Sequence, residues 1–214
     1  SEARIRPHLG LVIANPERSL PVRITVTDAA GAPVLALDRL DLRDNFTPDS
    51  ATVRSSLEAG GQVAWLGDRV VEDLEIPGGG VATLVLTPLG VPGFRSAVLP
   101  AGLRLTSSRP VVAYQFNPLC CSFSYSNDAS LLLPVESLDR VYSFIGAPDW
   151  SLGNGVDWAP QGLTVAAARD GTEIVVDLPT GAQLQPGEVF VTELSSGQLR
   201  VEATLDAGEV LHLG

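Results

Sequence analysis

Short runs of alternating hydrophobic and polar residues recur along the chain. Val22, Ile24 and Val26 alternate with Arg23, Thr25 and Thr27, the period of a half-buried strand whose successive side chains point to opposite faces. Asp28-Ala29-Ala30-Gly31-Ala32-Pro33 reads as a turn and Val34-Leu35-Ala36-Leu37 as the returning strand. Pro77-Gly78-Gly79-Gly80 breaks two further strands, and Gln185-Pro186-Gly187-Glu188 precedes the strand-like Val189-Phe190-Val191. The best helical candidate is a turn or two within Pro48 to Ala59, with Pro48 early and Gly60 as the stop. β-Branched residues fill the runs, so the pattern predicts an all-β fold.

The runs also echo one another. Leu11-Val12-Ile13-Ala14-Asn15 leads to Val22-Arg23-Ile24-Thr25-Val26 and later to Ser56-Leu57-Glu58-Ala59-Gly60-Gly61-Gln62-Val63. In the second half Leu163-Thr164-Val165-Ala166-Ala167 leads to Glu173-Ile174-Val175-Val176-Asp177 and later to Thr204-Leu205-Asp206-Ala207-Gly208-Glu209-Val210. This imperfect internal repeat predicts two consecutive sandwich-like units: residues 1–118, a connecting segment over 119–134, and residues 135–214. The first copy continues through Val81–Leu86, Gly102–Thr106 and Pro110–Tyr114, whereas the second stops where that continuation would begin, so the second unit is expected to be short of strands. Either the second unit is truncated at its C-terminal end, or strands supplied by another copy complete it, which makes a homo-oligomer built by strand sharing one expectation.

Composition narrows the function classes. The chain has 214 residues and a net charge of -11, with arginine as its sole strong base and no methionine. Nucleic-acid and anionic-lipid binding need clustered cations, and both are set aside. No apolar run reaches the length of a membrane span. A sequence starting at Ser1 reads as processed or as part of something longer.

Candidate chemistry is sparse. His8 and His212 stand near opposite ends, without metal-ligand or triad-like neighbours, and no Gly-x-Ser-x-Gly is present. The chain is therefore expected not to be an enzyme, with a hydrolase using Cys120 or Cys121 as the remote alternative. Cys120 and Cys121 are disulfide candidates: each can pair outside this sequence, they can close a vicinal ring, or they stay free. No cofactor is expected apart from a calcium alternative, in which Asp41, Asp44 and Asp49 of an acidic segment supply oxygens; a solvated loop is the plainer reading. Trp150 and Trp158 bracket a segment containing Asn154 and Asp157, and indole faces beside amide and carboxylate groups suit a sugar. A loop pinned to the body by its tryptophans is the plainer reading. Tyr114, Phe116, Phe123, Tyr125, Tyr142 and Phe144 cluster in the central part of the sequence and read as core.

The segment Arg109-Pro110-Val111-Val112-Ala113-Tyr114-Gln115-Phe116-Asn117-Pro118, the Cys-Cys pair and Ser126-Asn127-Asp128-Ala129-Ser130-Leu131-Leu132-Leu133-Pro134 together resemble the amino-terminal domain of IgGFc-binding proteins. That domain also occurs in large secreted or surface proteins of bacteria, notably myxobacteria. The resemblance spans most of residues 10–213, is strongest over Ser107–Pro134, and brings no catalytic or binding residues with it. It implies an extracellular or cell-surface, non-catalytic module that binds or adheres to a protein or glycan ligand. A structural subunit of a surface fibre is the alternative.

Overall fold

A computed structural model describes residues 9–36, 63–65, 69–86, 95–117, 128–145, 150–151, 157–159, 162–185 and 187–214. The described strands begin with β1 (Leu9–Ala14), β2 (Val22–Thr27), β3 (Leu35–Ala36), β4 (Val63–Trp65), β5 (Arg69–Val70) and β6 (Leu74–Ile76). They continue with β7 (Val81–Leu86), β8 (Ala97–Leu99), β9 (Arg104–Ser107), β10 (Val112–Asn117), β11 (Asp128–Leu131) and β12 (Trp150–Ser151). The last are β13 (Asp157–Ala159), β14 (Leu163–Ala166), β15 (Thr172–Leu178), β16 (Val191–Glu193), β17 (Leu199–Leu205) and β18 (Val210–Leu213). A single 3-10 turn, Val135–Ser137, is the helical element among the described residues. Among the described residues the fold is all-β, in several largely antiparallel sheets, none of them closed into a barrel. The helical candidate at Pro48–Ala59 lies outside the described residues.

Two compact units emerge, and neither is continuous in sequence. The first contains β1–β7 with β9–β11; the second contains β8 with β12–β18. The expected boundary after residue 118 left β8 in the first unit. In the structure β8 pairs with β18, Ala97 opposite His212 and Leu99 opposite Val210. Ser96, just before β8, is fully buried and bonds through its hydroxyl to the backbone of Gly214.

In the first unit one sheet runs β11-β10-β1-β7-β3-β5, with β4 joined parallel to β7, and a second runs β6-β2-β9. The alternation in the sequence is what buries the core: Leu11 and Ile13 on β1, Val22, Ile24 and Val26 on β2, and Ala82, Leu84 and Leu86 on β7 are all buried. Each buried Val, Leu or Ile side chain among them contributes roughly 1.5–3 kcal/mol of transfer free energy. In the second unit the sheets β14-β18-β8 and β15-β17-β16 enclose a core of Val176, Leu178, Val201, Leu205, Leu211 and Leu213. β12 and β13 form a separate two-stranded ribbon.

A bent antiparallel ribbon underlies both units. In the first, β1 pairs with β7 in one sheet and β2 with β6 in the other, so the ribbon folds over at Asn15–Pro21 and Pro77–Gly80. In the second, β14 pairs with β18 and β15 with β17, with the fold-over at Ala167–Gly171 and Asp206–Glu209. Strands that switch sheets through such a bend make the corners of packed sandwiches. The backbone bonds agree across the two corners. Asn15 N–H donates to Gly80 O at 2.9 Å, and Ala167 N–H to Glu209 O at 2.9 Å. Gly80 N–H closes its turn on Pro77 O, and Glu209 N–H on Asp206 O. The third residue of each turn is a glycine at positive φ, Gly79 at 70° and Gly208 at 86°, where a side chain is strained.

These registers align Ile13 with Val165, as the sequence repeat has it. The counterpart of Thr204–Val210, however, is Glu75–Val81 rather than Ser56–Val63, most of which lies outside the described residues.

Candidate binding surface

β10 lies beside β1, Val12 opposite Tyr114 and Ala14 opposite Val112, and β11 lies beside β10, Leu131 opposite Tyr114. Alternation sends Ala113 inward, where it is buried, and sends Val112 and Tyr114 outward. Leu132 N–H bonds to Ala113 O and carries the pairing past the end of β11. The outward face therefore holds Val112, Tyr114, Leu131 and Leu133, exposed by 38%, 41%, 50% and 61%. Cross-strand neighbours of this kind form one continuous apolar surface, the sort of feature that marks an interaction site. Among the described strands β11 ends its sheet, and after Asp128 the run Ala129-Ser130-Leu131-Leu132-Leu133 carries no charge along that edge.

A second exposed apolar run follows at Val135–Ile145. Val141, Tyr142, Phe144 and Ile145 all stand open to solvent, and the Tyr142 hydroxyl accepts from Asp139 N–H. Tyr114, Tyr142 and Phe144 are thus surface residues and not core, which corrects the expectation from sequence. Alternation identified strand-like residues there without saying which face would be covered.

The strands around the tryptophan candidates are partly placed. Trp150 pairs with Ala159 and Ser151 with Asp157, so Trp158 is the extra residue of a bulge on β13; Asn154 lies outside the described residues. Asp41, Asp44, Asp49, Cys120 and Cys121 also lie outside them, as does His8. Among the described residues no three metal-capable side chains converge, and no helix is long and apolar enough to cross a membrane. His212 meets Thr164 across the strand pair, Nδ1 to Oγ1 at 2.9 Å.

Among the described residues, electrostatic perturbation falls on surface groups. Two hydrogen bonds from Ser19, one from its hydroxyl and one from its backbone N–H, hold the Glu17 carboxyl below its ordinary range. The bidentate Arg200 guanidinium, at 2.7 and 2.8 Å, holds the Asp177 carboxyl low and is itself held high. All three groups reach solvent. No family model, curated protein or solved structure matches the chain.

Proposed function

We propose that the chain is a non-catalytic extracellular or cell-surface module that binds a protein or glycan ligand. The apolar outer face of β10 and β11 carries this reading: large side chains are presented on a sheet whose opposite face is packed. The likeness of Ser107–Pro134 to the amino-terminal domain of IgGFc-binding proteins supports the compartment, and the same segment builds the presented face. Screening the intact chain and its Leu131→Asp variant against glycan and protein arrays tests the reading. A ligand bound by the parent and lost by the variant, with strand content unchanged by circular dichroism, supports it; ligands held equally by both remove this face from the function.

A surface-fibre subunit is the second reading, favoured by open strand edges at β11 and β14. Light scattering separates the two, since a strand-sharing assembly would bury well over ~1,000 Å² between chains and persist on dilution, whereas a monomer sinks it.

A further inference from the structure

The two bent ribbons differ along their outer edge. In the first unit a third strand lies along the ribbon: β10 pairs with β1 and β9 with β2, so residues 104–117 follow it over the corner. At the bend Ser108 N–H donates to Arg23 O while the Ser108 hydroxyl accepts from Arg23 N–H, each at 2.9 Å, and the Thr106 hydroxyl donates to Thr25 O. In the second unit no described strand occupies this place, and β14 and β15 are both end strands.

The core registers the difference. Leu11 and Ile13 correspond to Leu163 and Val165, and Ile24 to Ile174, by the pairings given above. Leu11, Ile13 and Ile24 are buried, Ile13 completely, while Leu163, Val165 and Ile174 are only partly so. The backbone agrees. Ala167 bonds to Glu209, so alternation along an antiparallel ladder turns the N–H and C=O groups of Thr164 and Ala166 away from β18. Those of Glu173 and Val175 likewise occupy the positions of Arg23 and Thr25, the residues that β9 and Ser108 engage.

We infer that the outer edge of β14 and β15 is a binding site for an extended segment of another polypeptide, added antiparallel to β14 as β10 is to β1. This rests on the binding-module reading and names its partner class. The occupant needs a small residue facing inward opposite Val165, as Ala113 faces Ile13, and a break between two short strands at the corner, as Ser108-Arg109-Pro110 provides. Main-chain bonds supply affinity in such additions, and the alternate pockets supply selectivity. A second copy is disfavoured as occupant because the chain carries a net charge of -11 and Glu173 and Glu202 add negative charge on β15 and β17. A neutral or basic segment fits.

The probe is a synthetic peptide of Leu105–Asn117, added to the full chain and followed by amide hydrogen exchange. Slowed exchange at Thr164, Ala166, Glu173 and Val175 is the expected result. Thr164→Pro removes an outward-facing N–H that the ladder to β18 does not use, and is expected to weaken peptide binding about tenfold or more. A peptide carrying Ala113→Glu should also fail, and it leaves the fold of the protein untouched. No slowing at these amides, slowing confined to β1 and β2 through exchange with the resident strand, or protection that rises with protein concentration alone would each overturn the inference. Retention of an array ligand by Thr164→Pro, with no peptide bound by the parent, would refute this edge while leaving the binding-module reading in place.

Discussion

The corners of the two ribbons share a backbone path but are secured by different chemistry. In the first, the buried Asn15 side chain does most of the work. Its amide nitrogen donates to Leu20 O, Ile76 O and Pro77 O at 2.9, 3.2 and 3.2 Å, and its oxygen accepts from Glu17 N–H. In the second, the equivalent position is Ala167, and surface carboxylates take over: Asp206 accepts from Gly171 N–H, Asp170 from Ala207 N–H and Glu209 from Asp206 N–H. A neutral amide suits the first because it satisfies buried carbonyls without burying a charge. Carboxylates suit the second because solvent reaches them. One bend is thus locked from inside and the other from outside.

Replacing Asn15 with Ala should expose that asymmetry most strongly, since Leu20 O and Ile76 O lose its amide and Glu17 N–H loses its acceptor, while Pro77 O keeps the bond from Gly80 N–H; about 3 kcal/mol of stability is expected to go. Hydrogen exchange would show β1 and β7 amides losing protection while β15 and β17 keep theirs, and equal losses in both would show that the corners are not separate devices. Next come the glycines. Gly208→Ala places a side chain at positive φ against Ala29, and Gly78→Ala drives a methyl into the Arg18 carbonyl, each costing about 1–3 kcal/mol by urea titration. Asp206→Ala leaves a solvent-accessible N–H, and about 1 kcal/mol is expected.

Acid should have the smallest effect. Asp177 and Glu17 titrate below their ordinary range in the folded chain, so the stability they contribute is present above the unfolded value and disappears as pH falls through the folded one. Asp177→Asn should flatten this part of the acid limb in a pH series of urea midpoints, whereas Asn15→Ala should lower the curve without changing its shape.

Much of the strand content was legible, because Val22, Ile24 and Val26 alternate over a face that is in fact buried. The repeat was legible in its first part, where Ile13 and Val165 share both pattern and register. Its later part misled: Ala59-Gly60 resembles Ala207-Gly208 in residue type, while the true counterpart, Pro77-Gly78-Gly79-Gly80, shares only a turn bond and a glycine at positive φ. Conformation was common there, composition was not. The pairing of β8 with β18 leaves no local signature, since each strand reads the same whichever edge it joins. Nor did alternation reveal that Tyr114 and Leu131 face outward uncovered, because it reports two faces without saying what lies against each.

The placement of β8 also bears on the order in which the molecule can assemble. Ala97 and His212 are 115 residues apart in sequence, so closing that pair carries a loop entropy that nearby hairpins avoid. During synthesis β8 leaves the ribosome long before its partner exists. The hairpin of β17 and β18 is expected to form quickly and wait, with docking of β8 as the late step that seals Leu211 and fixes the slow folding phase.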